Sequence, residues 1–451
     1  MKIIVVGIGK LGEYLSKCLV RDGNDVTLID LDFQGSRTFI NNEDVKYITG
    51  NGLKSELLME AGVDKCDLTI SVMDSDEKNI MCSLLSKKLG SKHTIARIRS
   101  KDNNDSAFLL KKEIGLSYII NPEYLTALSI AKALSIPSAL EATTFLRGRL
   151  QMISLKVKEE SVLDGMSINS LIKKSGVSVI ICAVLRDGVT SIPKGNFQLK
   201  AGDKINVVGT IKDIREFLDY ANLINNQTKK VIIAGGGTTS VYLAKFLTDM
   251  KMKVKIIEMN PDRCKELSEI LDDTLIINGD ISNQNTLYEE GIEETDAFIS
   301  LTSIDEENIV YSMFASLKKV PRIITKVNHI DLDGVIEKAN IDTVITPHRI
   351  ATDNIVQFVR ALENSKKSSC EAIYTFDDDT VEIQEFNIKN DFKYPNVKLR
   401  DLKIKDDVLI IAIQRGKNII IPNGNTIIKE NDTIVLIDST HELKDINDIL
   451  E

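Results

Sequence analysis

Six residues near the amino terminus, Gly7-Ile8-Gly9-Lys10-Leu11-Gly12, follow a short apolar run and open a helical pattern. Glycines at this spacing suit phosphate binding. The first permits a tight turn, the second lets backbone amides approach a pyrophosphate, and the third lets the helix pack closely on the strand. The helix start then meets the phosphates with the positive end of its dipole. Asp30 closes the second apolar run. An acid there accepts hydrogen bonds from adenosine ribose hydroxyls and disfavours a 2′-phosphate. NAD(H) is therefore expected over NADP. ATP and ADP stay open as alternatives, because all of these carry the same adenosine diphosphate moiety.

Other residues fall where such a ligand would lie. Lys10 either meets a further phosphate or is a solvated first-turn residue. Asp32 is placed to support the ribose, and Asn51 follows the third strand near an adenine edge. Met73 and Asp74 end the fourth strand, at the carboxyl edge where ligands bind in open α/β sheets. Arg97, in the fifth strand, reads equally as a phosphate clamp or as an ordinary ion-pair partner.

The elements that must position these residues are legible as alternating patterns. Strands are predicted at 3–6, 25–29, 45–48, 67–72, 94–98 and 118–120, and helices near 10–22, 53–61, 77–89, 104–114 and 123–135. Strands alternating with helices imply a parallel sheet wound on both faces. The following stretch differs. Runs at 150–157, 177–185 and 204–208, joined by glycine-containing turns with one or two short helices, predict a small α+β module.

The whole arrangement occurs twice. Gly7 corresponds to Gly235, Gly9 to Gly237, Tyr14 to Tyr242, and Asp30 to Glu258. Asp76-Glu77 corresponds to Asp305-Glu306, Asn79 to Asn308, Arg97 to Lys326, and Pro122 roughly to Pro347. In the small modules, Arg186 and Arg415 precede Ile-Pro-X-Gly runs, and Asp203 and Asp432 precede apolar strands. The fold expected is α/β, with two Rossmann-type doubly wound parallel sheets, each followed by a small α+β C-terminal subdomain. The expected domains are 1–137, 138–225, 229–363 and 368–451, with hinges around 138–148 and 364–371. In the second copy Gly235, Gly236, Gly237, Thr238, Thr239, Glu258 and Lys326 occupy the candidate ligand positions. Ser240 replaces the third glycine, so this copy reads either as a second nucleotide site or as a scaffold.

Composition narrows the class. The chain has 451 residues, 43% hydrophobic and 27% charged, with a net charge of -9. This fits a soluble multidomain protein and gives no support for a nucleic-acid partner, whose phosphates call for Lys and Arg. No apolar run reaches bilayer length, and the start does not read as a signal peptide, so a cytoplasmic location is expected. The six Cys form no C-x-x-C pair, and no metal site is expected. The four His, His93, His329, His348 and His441, have no partners in a catalytic pattern. A dehydrogenase would need an acid/base and a substrate domain, so an enzyme is not expected. An oxidoreductase with a divergent catalytic module and a free-standing nucleotide sensor remain the competing readings.

The GIGKLG start, Asp30, the GNG at 50–52, SVMDSDEKN at 71–79, ARI at 96–98 and INPE at 120–123 together resemble one family. It is the family of modules that regulate potassium conductance (RCK/KTN type) with their small C-terminal domains. Two such modules in one chain resemble the regulatory subunits of bacterial and archaeal Trk potassium-uptake systems. That resemblance implies a peripheral subunit on the inner face of the cell membrane, a homo-oligomeric ring, and a membrane potassium-translocating partner of TrkH/TrkG type gated by nucleotide occupancy. It also implies that Gly7 to Leu11, Asp30, Met73, Arg97 and Ile98 carry the first site, and that Glu123 assists a cation or phosphate contact.

Overall fold

The computed structural model describes residues 1–32, 45–100, 111, 115–136, 138–159, 161–223, 227–328, 341–367, 370–376, 381–388, 392–405, 407–439, 443 and 445–451. Apart from residue 111, the helix predicted near 104–114 lies outside them, as do His329 and His441.

The first half begins β1 (Lys2–Val6), α1 (Lys10–Arg21), β2 (Asp25–Asp30), β3 (Lys46–Thr49), α2 (Ser55–Glu60), β4 (Leu68–Ser71), α3 (Asp76–Leu89), β5 (His93–Arg97), β6 (Tyr118–Ile120) and α4 (Pro122–Ser135). The strands form one sheet in the order β3-β2-β1-β4-β5-β6, and its neighbours run parallel. Strand β1 is buried at four consecutive positions and β4 at all four of its own. Such continuous apolar runs are what a sheet covered by helices on both faces requires.

Next come β7 (Glu141–Phe145), β8 (Leu150–Lys156), α5 (Ile168–Ser175), β9 (Ile180–Arg186), β10 (Val189–Ser191), β11 (Lys204–Thr210) and α6 (Ile211–Tyr220). The antiparallel sheet has the order β10-β9-β11-β8-β7. The stretch 138–148, expected as a hinge, instead carries β7, which pairs with β8 along its length. Its Glu-Ala-Thr-Thr-Phe sequence has β-branched residues but only short alternation, so the pairing is supplied by the neighbouring strand.

The second half repeats both parts. Its first part comprises β12 (Lys230–Ala234), α7 (Thr238–Asp249), β13 (Lys253–Glu258), α8 (Pro261–Ile270), β14 (Thr274–Asn278), α9 (Gln284–Glu289), β15 (Ala297–Ser300), α10 (Asp305–Leu317), β16 (Arg322–Lys326), β17 (Thr343–Ile345) and α11 (Pro347–Lys367). The sheet order β14-β13-β12-β15-β16-β17 is that of the first copy. Then β18 (Cys370–Phe376), β19 (Val381–Asn387), β20 (Val408–Arg415), β21 (Asn418–Ile420) and β22 (Thr433–Asp438) form a second five-stranded sheet. In the second expected hinge, 364–371, α11 runs on to Lys367 and β18 begins at Cys370.

The repeated Arg and Asp of the small domains form matching ion pairs. Arg186 donates through Nε and a terminal nitrogen to both carboxylate oxygens of Asp203, each at 2.7 Å. Arg415 does the same to Asp432 at 2.8 and 2.7 Å. Both acids are almost wholly buried, and each also accepts a backbone amide, from Lys200 or Lys429. Bidentate geometry with an added donor is what makes a buried carboxylate tolerable.

Contacts divide the chain into two compact units. Residues 1–128 and 231–358 form one, and 129–230 and 359–451 form the other. Each unit thus joins like with like, although the modules alternate along the sequence. In the first unit the glycine-turn helix of each Rossmann module packs on the helix that follows the other's sixth strand. Tyr14 of α1 meets His348 of α11 edge-on at 5.5 Å, and the equivalent Tyr242 of α7 meets Tyr124 of α4 at 5.5 Å. Asn121 donates to the Tyr242 hydroxyl at 3.3 Å. In the second unit, residues of both small domains share one core, with Phe145, Cys182 and Val208 packed among Val381, Ile411 and Val435.

Candidate functional site

The first glycine turn is built as the spacing requires. Gly7 has φ +101°, and a Cβ there would lie 2.7 Å from the Met73 amide nitrogen. Gly12 is packed more tightly still, since an added Cβ would meet the Gly7 carbonyl oxygen at 2.0 Å. At Gly9 no atom lies within 4 Å of the Cβ position. That is the space a pyrophosphate would use. Gly9 is also the N-cap of α1, and no side chain caps the helix, so its first amides are available to an anion. Ile8 and Leu11 are buried and offer only backbone. Lys10 is exposed beside the turn.

Asp30 ends β2 under this turn. One carboxylate oxygen accepts the Ile8 amide at 2.5 Å and the other accepts the Asp32 amide at 3.2 Å. The acid therefore fixes the turn, one oxygen on each of two backbone amides. Asn51 is spent locally, accepting the Leu53 amide at 3.0 Å in an Asx turn. Asp74 is exposed and pairs with Lys78 at 3.0 Å, which holds its carboxyl below the usual value. Ile98 is fully buried in the core.

The second turn keeps the plan with looser packing. Gly235 has φ +94°, but a Cβ there would clear the Leu301 oxygen by 3.2 Å. Ser240, at the third glycine position, is wholly buried and donates to the Gly235 carbonyl at 2.6 Å. The hydroxyl thus finds a partner in the space that α7 leaves for it. Glu258 repeats Asp30, accepting the Gly236 amide at 2.8 Å and the Asn260 amide at 2.8 Å. Gly237 again faces open space and caps its helix without a side chain. Thr238 and Thr239 open α7, with Thr238 exposed at the position of Lys10. Arg263 of α8 adds a feature not anticipated, donating to the Gly236 carbonyl at 2.8 Å.

Four residues that sequence reasoning matched between copies, but gave no role, hold the strand ends together. Asn79 is wholly buried. It accepts the Met73 amide at 2.7 Å and donates to the Met73 carbonyl at 3.2 Å and the Arg97 carbonyl at 2.9 Å. Asn308 makes the same bonds to Thr302 and to the Lys326 carbonyl. Asp76 accepts the Arg99 and Ser100 amides, and Asp305 accepts the Asn328 amide. Each module thereby ties the carboxyl ends of its fourth and fifth strands into one rigid edge. The signal was present in the sequence, since a duplicated chain had kept both Asn and both Asp.

At that edge lies a partly buried charged cluster drawn from both Rossmann modules of the unit. Arg97 is largely buried, and its Nε has no hydrogen-bond partner. Burial lowers its pKa, with repulsion from Arg99 next, against attraction from Glu123. Glu123 opens α4, and its buried Oε2 also has no hydrogen-bond partner. Burial pushes its carboxyl up, although Arg97 and Arg99 draw it down. Lys326, from the second module, is lowered by burial too, with Asp305 and Glu123 raising it and Lys10 repelling it. The acid of one module thus lies within electrostatic range of the buried cations of both. Among the described residues no carboxylate lies within salt-bridge distance of Arg97, although Glu123, Asp76 and Asp74 act on it at longer range, so the ion-pair reading finds no direct pair here. A partly buried guanidinium whose Nε has no hydrogen-bond partner, on the strand next to the one the glycine turn packs against, could take a phosphate oxygen.

Comparisons with known proteins agree in every part of the chain. Residues 3–122 and 231–347 match the TrkA-N domain, and residues 152–222 and 383–451 match the TrkA-C domain. The chain is 29% identical over 449 residues to a Trk system potassium uptake protein TrkA homolog of Archaeoglobus fulgidus, covering 100% of each. It is 30% identical over 444 residues to the Trk system potassium uptake protein TrkA of Haemophilus influenzae, covering 97% of this chain and 95% of that one. Among solved structures the fold is similar to the GsuK channel, with a TM-score of 0.65 at 18% identity over 97% of this chain and 77% of that chain. A structure of that channel bound to NAD gives a TM-score of 0.64 at 18% identity, with the same coverage.

Proposed function

Since the chain belongs to the TrkA family, with its N and C domains in tandem duplicate, we propose that it is the nucleotide-sensing regulatory subunit of a Trk-type potassium-uptake transporter. The observation that carries this reading is the first glycine turn, an uncapped helix start beside open space with Asp30 fixed beneath it. In this reading the amides of the Gly7–Gly12 turn hold the diphosphate of NAD(H), or of ATP or ADP. Asp30 holds the ribose, with Asp32 beside it, and Arg97 takes a phosphate oxygen. Gly235 to Thr239, Glu258 and Lys326 do the same in the second module. The chain performs no chemistry on the nucleotide.

Regulation needs only a difference in nucleotide affinity between two conformations of a homo-oligomeric ring. Coupling of about 1–3 kcal/mol, or roughly 5–150-fold, is enough. The pairing of the two modules through Tyr14, His348, Tyr124 and Tyr242 gives the site a route to subunit geometry, because those residues sit on helices that begin at the ligand edge. No helix among the described residues is long and apolar enough to cross a membrane. In this reading, as the family assignment suggests, the pore belongs to a partner subunit and the chain works from the cytoplasmic face. Potassium uptake into vesicles carrying the membrane translocating subunit, with and without this chain, tests the reading. Flux that responds to NADH, NAD, ATP or ADP only when the chain is present, and loses that response with Asp30→Ala, supports it. Flux indifferent to the chain at every nucleotide concentration refutes it.

A further inference from the structure

The corner that follows each strand-end acid carries features that the phosphate cradle does not use. Asp30 Oδ1 accepts the Asp32 amide at 3.2 Å, and Glu258 Oε1 accepts the Asn260 amide at 2.8 Å. Each acid thus closes a short turn over the residue that follows it, Leu31 in the first module and Met259 in the second. The Met259 backbone is held further, because Asn278 donates to its carbonyl at 3.1 Å. Both side chains stand in solvent. Leu31 is 68% exposed and Met259 73%, and among the described residues only Leu317 is a large hydrophobic more exposed than Met259. A single exposed apolar residue needs no explanation. Here the position has stayed large and apolar in both copies while its neighbours diverged, since Asp30-Leu31-Asp32 corresponds to Glu258-Met259-Asn260. An apolar side chain kept in water on a fixed turn, beside a ligand acid, fits a surface that the ligand covers.

The second corner adds a cation. Arg263, in the first turn of α8, donates through Nε to the Gly236 carbonyl at 2.8 Å and through Nη1 to Glu266 at 2.8 Å. Gly236 is also the residue whose amide Glu258 accepts. Acid and guanidinium therefore grip one residue of the glycine turn from its two ends. Two bonds in the plane of a guanidinium fix the orientation of that plane. The remaining nitrogen, Nη2, has no hydrogen-bond partner among the described residues, and the side chain is 30% exposed. The start of α8 is itself secured, with Pro261 in its first turn and the Asn260 side chain accepting the Asp262 and Arg263 amides. Arg263 thus holds its place without a ligand.

The chemistry of this corner separates a base from a phosphate. Turn amides suit phosphates and an acid suits ribose hydroxyls. A thioether and an oriented cationic plane suit neither, and both suit the face of a purine. Asn51, expected near an adenine edge, is spent within its own turn.

We propose that Met259 and Arg263 form the purine-base subsite of the second nucleotide site, with Arg263 as its specificity-determining residue, and that Leu31 is the corresponding base contact of the first. The inference rests on the reading that the second glycine turn binds an adenine nucleotide. Because the same guanidinium holds the Gly236 carbonyl, base recognition and the diphosphate cradle are joined through one side chain.

Calorimetric titration with ADP and UDP, which share the ribose diphosphate and differ in the base, tests the proposal. The full-length chain carries Asp30→Ala, so that the second site is read alone. The expected result is a preference for ADP over UDP that shrinks roughly 3- to 30-fold in Arg263→Gln and in Met259→Ser. Arg263→Lys, which keeps the charge and loses the plane, should behave as Arg263→Gln does. A preference unchanged in all three variants, or affinities for both nucleotides lowered equally, overturns the subsite and leaves Arg263 as a brace of the turn. Full restoration by lysine overturns it too, since a phosphate contact needs charge alone. Absence of ADP binding to the Asp30→Ala chain, where wild type binds ADP, would overturn the second-site reading and the subsite with it, an outcome distinct from ADP binding that ignores Arg263 and Met259.

Discussion

Replacing Asn79 by alanine should uncouple the strand ends that frame the first nucleotide site. The side chain is wholly buried and makes one bond to the Met73 amide and two to the Met73 and Arg97 carbonyls. Alanine leaves all three groups without that partner. At about 1 kcal/mol net for each bond, the local loss is about 3 kcal/mol, equivalent to roughly 100-fold in an opening equilibrium. Asn79→Asp should be worse for its size. It keeps the acceptor for Met73 but places a carboxylate against two carbonyl oxygens that need a donor. Hydrogen exchange followed by mass spectrometry suits the question, since the chain has no Trp to report locally. Peptides covering 71–75 and 96–99 should lose protection by about that factor, while those of the second module, tied by Asn308, keep theirs. Nucleotide affinity at the first site should fall with it. Unchanged protection in Asn79→Ala would refute the view that this residue rigidifies the ligand edge.

Three further substitutions probe the turns and the charged cluster. Gly12→Ala puts a Cβ 2.0 Å from the Gly7 oxygen. It should cost about 1–3 kcal/mol of overpacking strain and weaken nucleotide binding at the first site about 10-fold or more by calorimetry, whereas Ser240→Gly should leave that site untouched. Glu123 has its carboxyl pushed up by burial, so the folded state holds that proton more tightly than the unfolded chain. Its stabilising contribution is present below the ordinary carboxylate range and is lost as pH rises through the raised folded value. Glu123→Gln should therefore match wild type in acid and melt at a higher temperature near neutrality. A lower melting temperature there would mean that Glu123 serves Arg97 and Lys326 more than its burial costs.

What the sequence made legible is what local pattern encodes. The six strands of each Rossmann sheet show as short apolar runs, and the Gly7–Gly12 turn and Asp30 show as spacing. Asn79, Asp76 and their second-copy equivalents were visible only as kept residues, because their partners are mainly backbone groups 6 to 24 positions away with no pattern of their own. Arg186 and Asp203 were likewise visible only as repeated residues, since nothing local pairs side chains 17 positions apart on two different strands' ends. Strand β7 has too few alternating positions to announce itself without β8 beside it. The grouping of like modules into two units was also beyond reach. It rests on contacts such as Tyr124 with Tyr242 and Leu146 with Glu385, between residues more than a hundred positions apart.

The central claim is that two glycine turns, each with its acid, sense adenine nucleotides. Calorimetric titration of the full-length chain with NADH, NAD, ATP and ADP tests it most directly, on wild type and on Asp30→Ala and Glu258→Ala. The account predicts two sites in wild type, the first lost with Asp30→Ala and the second with Glu258→Ala. Absence of binding by any of the four nucleotides to wild type would contradict it and reduce both turns to structural features.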